Sequence, residues 1–492
     1  MEPLQPSALW RRFSELCDIP HPSHHLDAVR AYILGVAHEA GLEAETDAVG
    51  NVLVRRPASA GREAAPGVIL EAHMDMVPQA DAASAHCFER DPIRPRLVPK
   101  GECAEYPDAE LVMATGTTLG ADNGIGVAAM LTVLTDPSVE APALECLFTV
   151  DEETGMSGVH GLDPSWLRGR YLLNLDTETE GVVMTGCAGA VDMEAVFKYR
   201  MDSQVPEGDR AVRLTLNGLQ GGHSGMDIHL GRGNACKLMN RFLKHAVINF
   251  EARLASFSGG SLRNAIPREA EAVITVPAEI VNDVLDEVAY YHDLFRYELR
   301  GIDDGVRLSA AETELPGALL PEAVQDDLLN SVEACHDGVL RFSPDCPHVV
   351  ETSSNLASVK TLEDGEARVS FLIRSMNEEM KRALASRLHS VFVMAGARVA
   401  FSAAYPGWEL PAASPLLAQA RAVYADTFGT DVRVESVHCG LECGILSARC
   451  PGLDIISFGP TIHHPHSPQE SVETESVARF WRYLTALLAA LE

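Results

Sequence analysis

No stretch of about 18 consecutive apolar residues occurs, the length a helix needs to cross a bilayer, so no transmembrane helix is expected. Basic residues are scarce: 39 Lys and Arg stand against 70 Asp and Glu, a formal net charge of −31. A field of that sign repels phosphate backbones and anionic membrane surfaces. It argues against nucleic-acid and membrane partners and favours solubility and the capture of cations. The opening stretch Met1–Pro6 lacks a basic region followed by an apolar one, so no secretory leader is expected. The eleven cysteines include no Cys-x-x-Cys pair; the closest two, Cys439 and Cys443, have three residues between them. That spacing does not read as a disulfide framework, and a reducing, cytoplasmic setting fits better. No internal repeat or low-complexity segment is evident.

What is present is a globular chain. Hydrophobic residues make up 46% of 492, enough for a sizeable core and too long a chain for a single one, so two or three domains are expected. Apolar runs at Val49–Val54, Val68–Ala72, Leu144–Val150 and Tyr171–Leu175 alternate with helical patterns, among them Leu26–Ala40 and Gly124–Leu134. Continuous apolar strands between helices predict an α/β domain with a doubly covered, mostly parallel sheet. From about Cys187 the pattern changes. Ala211–Leu216 alternates polar and apolar residues, and strand-like segments follow with helices at Asn234–Val247, Ile280–Leu299 and Glu378–Ala395. This predicts an inserted α+β, ferredoxin-like lid. The boundaries read 1–186 and 404–492 for the α/β domain and 187–403 for the inserted lid. Ala80–Ala85 and Gly101–Glu110 read as loops.

The chemistry-bearing residues cluster after the apolar strands. The first such strand runs into His73-Met74-Asp75, placing an imidazole where ligands gather in a parallel sheet, with a carboxylate two residues on to support it. Glycine-rich Gly116–Gly126 carries Asp122 just before a helix. The next strand runs into Asp151-Glu152-Glu153, three acids that repel one another unless solvated or bound to a cation. Adjacent residues of an extended segment point opposite ways, so one carboxylate could ligate a metal while its neighbour acts as a base. Asp176 follows the fourth strand, and His463, His464 and His466 follow a fifth. Two imidazoles with three carboxylates suit a pair of divalent cations, Zn²⁺ first, with Co²⁺ or Mn²⁺ as alternatives.

The chain resembles the aminoacyl-histidine dipeptidases (peptidase D), within the wider clan of di-zinc aminopeptidases, carboxypeptidases and acyl-amino-acid deacylases. The likeness extends from Ile19–Ser23 to the terminal helix. It is carried by Ala72–Gln79, Thr117–Gly126, Gly221–Gly225, Leu262–Glu269 and Gly440–Gly444. The resemblance implies that His73 and Asp176 hold one cation and Glu153 and His466 the other, with Asp122 bridging both. It implies Asp75 as the residue orienting His73 and Glu152 as general base. It further implies His223 as an oxyanion stabiliser that acts in cis or across a homodimer, and a cis peptide after Asp122. Asn264 and Arg374 are candidates for gripping the substrate, the Arg374 fork suiting a terminal carboxylate. One departure stands out: His464 occupies the position of a family glycine, which makes His463 and His464 rivals of His466, though the spacing to Ser467-Pro468 favours His466. The resemblance implies a cytoplasmic metal-dependent hydrolase of Xaa-His dipeptides. A tripeptide aminopeptidase or N-acyl amino acid deacylase is the alternative within the clan, and a non-catalytic binding protein the alternative outside it.

Overall fold

The computed structural model describes residues 4–201, 204–344, 346–362, 364–409 and 413–491; Met1, Glu2 and Pro3, on which part of the reading of the opening stretch falls, lie outside them. The chain divides into two compact units. One comprises Met1–Gly186, Trp408–Ser436 and Leu441–Glu492, the other Cys187–Gly407 and Val437–Gly440.

The first unit is built on a sheet whose spatial order is Glu43–Thr46, Val52–Arg56, Leu144–Thr149, Val68–His73, Tyr171–Asn174, Asp454–Ser457, Val182–Cys187, Trp408–Glu409. The four strands from Leu144–Thr149 to Asp454–Ser457 run parallel, and they are flanked by antiparallel neighbours. These four are buried along their whole length, which is why they read as largely apolar runs interrupted only by single polar residues such as Glu71 and Glu145. The helix Ala121–Thr135 is buried on every side from Ala121 to Leu134, its small residues allowing close packing. Asp122 and Asn123 have non-helical backbone angles inside it, so regular helix begins only at Gly124, where the sequence pattern places it. Trp10, Phe13, Phe148, Phe458 and Phe480 fill this core.

Register decides where the chemistry lands. His73 is opposite Thr149, and Asn174 is opposite Ser457, so the segments leaving these strands depart from one edge. A smaller antiparallel sheet, ordered Ile462–His463, Ser471–Glu473, Leu111–Ala114, Pro95–Val98, does not show as strands in the sequence: its members are two to four residues long and most are only partly buried, so they carry no clear apolar run.

The second unit has its own core and one antiparallel sheet. Asp209–Asn217, helix Ala235–Phe250, Arg253–Gly259, Ala270–Pro277, helix Val281–Glu298 and Arg307–Thr313 form a βαββαβ module with strand order 4-1-3-2, the ferredoxin-like arrangement. The module Gly189–Lys198, helix Glu322–Ala334, Val350–Leu362, Glu366–Ser375, helix Glu378–Met394, Arg398–Tyr405 repeats that order. The two meet where Ser258 and Gly259 pair with Lys360 and Val359. The first module is nested inside the second, between its first strand and first helix, and the two share topology without a repeat visible in the sequence.

Candidate metal centre

In the first unit the sheet edge draws the predicted ligands together. His73 ends its strand with its side chain 1% exposed, and its Nε2 lies 3.0 Å from Asp122 Oδ1 and 3.3 Å from Asp176 Oδ1. His466 Nε2 lies 3.2 Å from the other Asp122 oxygen, Oδ2, and 3.1 Å from Glu153 Oε1. The two oxygens of one carboxylate therefore face two different imidazoles, each accompanied by a second carboxylate. The peptide bond between Asp122 and Asn123 is cis, and the Asn123 side-chain amide donates to Asp176 Oδ1 at 2.6 Å.

Asp75 organises the surroundings of His73. The Nδ1 of His73 lies 3.0 Å from the backbone carbonyl of Asp75 and 3.5 Å from its carboxylate, so the carbonyl is the nearer partner. The buried Asp75 carboxylate accepts from Ser23 Oγ at 2.7 Å and from the backbone N–H groups of Glu152 and Glu153 at 3.0 and 3.3 Å. One correction follows. Residues after Val150 form a turn rather than extended chain, so Glu152 and Glu153 are not separated by strand alternation. Asp151 enters this turn with φ +54 and turns its carboxylate away, accepting from His24 N at 2.7 Å and Ser157 Oγ at 3.2 Å.

The electrostatics fit a cation site. Burial pushes the Glu152 carboxyl well above the ordinary carboxylate range, and Asp176 up to about 7 against the pull of His73. Against burial, hydrogen bonds from His466 and His73 hold Asp122 below its usual value. Against burial too, Asp122 and Glu153 raise His466 to about 11. Such an excess of buried carboxylates over imidazoles calls for added positive charge. The geometry fits as well: donors about 2.0–2.1 Å from a tetrahedral ion sit roughly 3.3 Å from one another, and the His–carboxylate separations above are 3.0 to 3.3 Å. His73, Asp122 and Glu153 each offer an atom within 4.8 Å of the others.

The rivals of His466 are engaged elsewhere: His463 Nε2 lies 2.9 Å from Glu473, and His464 Nε2 lies 3.0 Å from Glu105. Two acids escaped the sequence reading. Glu178, two residues past Asp176, is pushed well above its usual range by burial and by the charges of Asp122 and Asp176; its Asp-Thr-Glu-Thr-Glu setting reads as an acidic loop. Glu470, four residues past His466, accepts from the backbone N–H groups of Leu119, Gly120, Ala121 and Asp122 at 2.7 to 3.3 Å. Its place four residues past the candidate ligand His466 was the one signal available.

In the second unit, His223 Nδ1 accepts from the backbone N–H groups of Gly225 and Met226 at 3.2 and 3.0 Å. That fixes the neutral tautomer with its proton on Nε2, a donor. Arg374 is buried, and its Nε and Nη1 reach Ser224 Oγ at 3.4 Å and Tyr405 OH at 3.2 Å. Among the described residues its partners are hydroxyls, so it is not a surface ion-pair member. Ser224 N donates to the carbonyl of Asn264, whose side chain is exposed, so Ser224 links the Gly221–Gly225 and Leu262–Glu269 segments to Arg374.

Residues 69–490 match the model of peptidase family M20/M25/M40. The chain is 42% identical over 485 residues to the cytosol non-specific dipeptidase of Escherichia coli, covering 99% of this chain and 98% of that protein. Among solved structures it is similar to the aminoacylhistidine dipeptidase from Vibrio alginolyticus, at 42% identity and a TM-score of 0.86, covering 100% of this chain and 98% of that one. The aminopeptidase PepT from Bacillus cereus shares the fold at 14% identity and a TM-score of 0.57, covering 99% of each chain.

Proposed function

The chain belongs to peptidase family M20/M25/M40, and from that membership we propose that it is a cytosolic metallo-dipeptidase cleaving Xaa-His and related dipeptides. No helix among the described residues is long and apolar enough to cross a membrane. The observation that carries the mechanistic reading is the Asp122 carboxylate, with one oxygen toward His73 and Asp176 and the other toward His466 and Glu153.

On this reading His73 and Asp176 hold one ion, Glu153 and His466 the second, and Asp122 both. Bound there, two divalent cations, Zn²⁺ first, supply an acidified water and a polarised scissile carbonyl, and their charge offsets the burial of the surrounding carboxylates. Glu152 accepts the proton of the attacking water at its carboxylate and returns it to the leaving amine. Asp75 and Asn123 keep the ligands oriented through the hydrogen bonds described above. In the lid, the Nε2–H of His223 is the donor suited to an oxyanion, a contribution of about 2.7–4 kcal/mol when such a donor is preorganised. The buried fork of Arg374 grips the substrate carboxylate, and Asn264 is the second substrate-binding candidate. A site that binds both substrate ends selects for dipeptides. A homodimer, with His223 acting in cis or across it, completes the proposal.

The test is a panel of β-Ala-His, Gly-His, Leu-Gly-Gly and an N-acetylated amino acid, assayed with the Zn²⁺-loaded protein. Turnover of the two histidine dipeptides well above the others is expected. Preference for Leu-Gly-Gly or the acetylated substrate would move the chain to the tripeptidase or deacylase reading.

A further inference from the structure

His73 and His466 are held very differently. The His73 side chain is 1% exposed, whereas that of His466 is 50% exposed, so packing fixes the first and not the second. The loop bearing His466 also contains two non-glycine residues in the left-handed region, His464 at φ +49 and His466 at φ +61. A side chain with a Cβ is disfavoured there relative to glycine, so something must hold the loop in that shape.

Glu470 anchors the far end of this loop to the Asp122 segment; near His463 and His464 it is touched by the loop between the strands Pro95–Val98 and Leu111–Ala114. The Tyr106 ring stacks on His463 at 3.7 Å between centroids and 15° between planes. Its hydroxyl is 3.2 Å from His464 Nε2, the same nitrogen that lies 3.0 Å from Glu105. His463 is also held through its Nε2, 2.9 Å from Glu473 Oε1. Register makes this contact specific. Glu473 pairs with Leu111 and Ser471 with Met113, which puts the Tyr106 loop and the His466 loop at opposite ends of the small sheet. Tyr106 reaches His463 only because its loop folds back across that sheet. The internal bonds Gly101 N to Pro107 O at 2.8 Å and Glu102 N to Pro99 O at 3.2 Å close that loop on itself.

We propose that Tyr106, assisted by Glu105, is a latch that positions the His466 loop and thereby sets the affinity of the cation on the Glu153–His466 side. The Glu105–His464 pair is exposed and adds little by itself, so the aromatic stack carries most of the effect. Histidine at 464, where the resemblance expects glycine, gives up backbone freedom and gains a side chain for the latch to hold. The inference rests on the reading of His466 as a ligand.

The test is calorimetric titration of the chelator-stripped full-length protein with Zn²⁺. Two binding events per chain are expected for the native sequence. In Tyr106→Ala the event that His466→Ala abolishes should weaken by about tenfold or more, the scale typical of residues that orient a ligand. The other event should be unchanged, and so should the melting temperature of the metal-free protein. Tyr106→Phe, which keeps the ring and loses the hydroxyl, should restore binding close to native. If Tyr106→Ala binds both ions as the native chain does while His466→Ala loses one, the latch is refuted and the ligand assignment stands. If His466→Ala retains both events, the ligand assignment fails and the latch falls with it.

Discussion

Glu152 and Glu153 sit side by side on one turn and donate their backbone N–H groups to the same carboxylate, yet their side chains meet different neighbours. Burial raises both carboxyls, but Glu153 lies 3.1 Å from His466, whose hydrogen bond pulls it back down. Glu152→Gln keeps the shape and removes the proton acceptor. Turnover should fall at least about a hundredfold, the lower end for a positioned base, with metal content unchanged. Near-native turnover would remove Glu152 from the mechanism. A second titratable residue can be read through stability. Burial, then the charge of Arg374, pushes the imidazole of His438 down to about 3, with His223 and His229 acting in the same direction. Its Nε2 is 2.7 Å from Ser353 Oγ. An unfolded histidine titrates near 6.5, so between about 6.5 and about 3 the unfolded chain takes up a proton that the folded one does not. The stabilising contribution is therefore complete above about pH 6.5 and is lost on acidification, by up to about 1.4 kcal/mol per pH unit. His438→Gln should flatten the acid limb of unfolding free energy against pH by that slope; an unchanged limb would contradict the assignment.

At the scale of elements, the loop carrying Asp122 and the loop carrying His466 are tied together by Glu470. Its carboxylate is 2% exposed and takes four consecutive backbone N–H groups. A glutamine there would turn N–H against N–H and leave buried donors unpaired. Glu470→Gln should therefore cost about 3 kcal/mol in denaturant unfolding of the metal-free protein and weaken both Zn²⁺ events. A change below about 0.5 kcal/mol, the level of a neutral surface substitution, would deny it that role. This tie shows where the sequence was legible. The buried parallel strands announce themselves by apolar runs, and the imidazoles and acids that follow them or sit in the glycine-rich turn stand out; the choice of Glu153 over Glu152 and of His466 over its neighbours came from the family resemblance. Glu470 and Tyr106 have no such marker, since their partners are backbone amides and an imidazole far away in sequence. The small sheet that brings those partners near is made of strands too short for periodicity to register.

At the scale of the whole molecule, each unit has its own core, and every proposed ligand, together with Glu152, Asp75 and Glu178, belongs to the first. Removal of the cations should consequently destabilise one unit and spare the other. Each ion present at about 100 times its Kd adds about 2.7 kcal/mol to the state that binds it. After dialysis against a chelator, hydrogen exchange should lose protection in the strands Val68–His73 and Tyr171–Asn174 and around Ala121–Thr135. The strands Asp209–Asn217 and Glu366–Ser375 should exchange as before. Deprotection spread over both units, or absent from both, would contradict a metal centre confined to the first. The net charge of −31 offers a competing explanation, general repulsion across an acidic surface, and salt separates the two. At about 1 M ionic strength exposed charges are screened within about 3 Å, whereas buried carboxylates are screened far less. Protection that returns with Zn²⁺ and not with monovalent salt places the repulsion among the buried acids at the sheet edge.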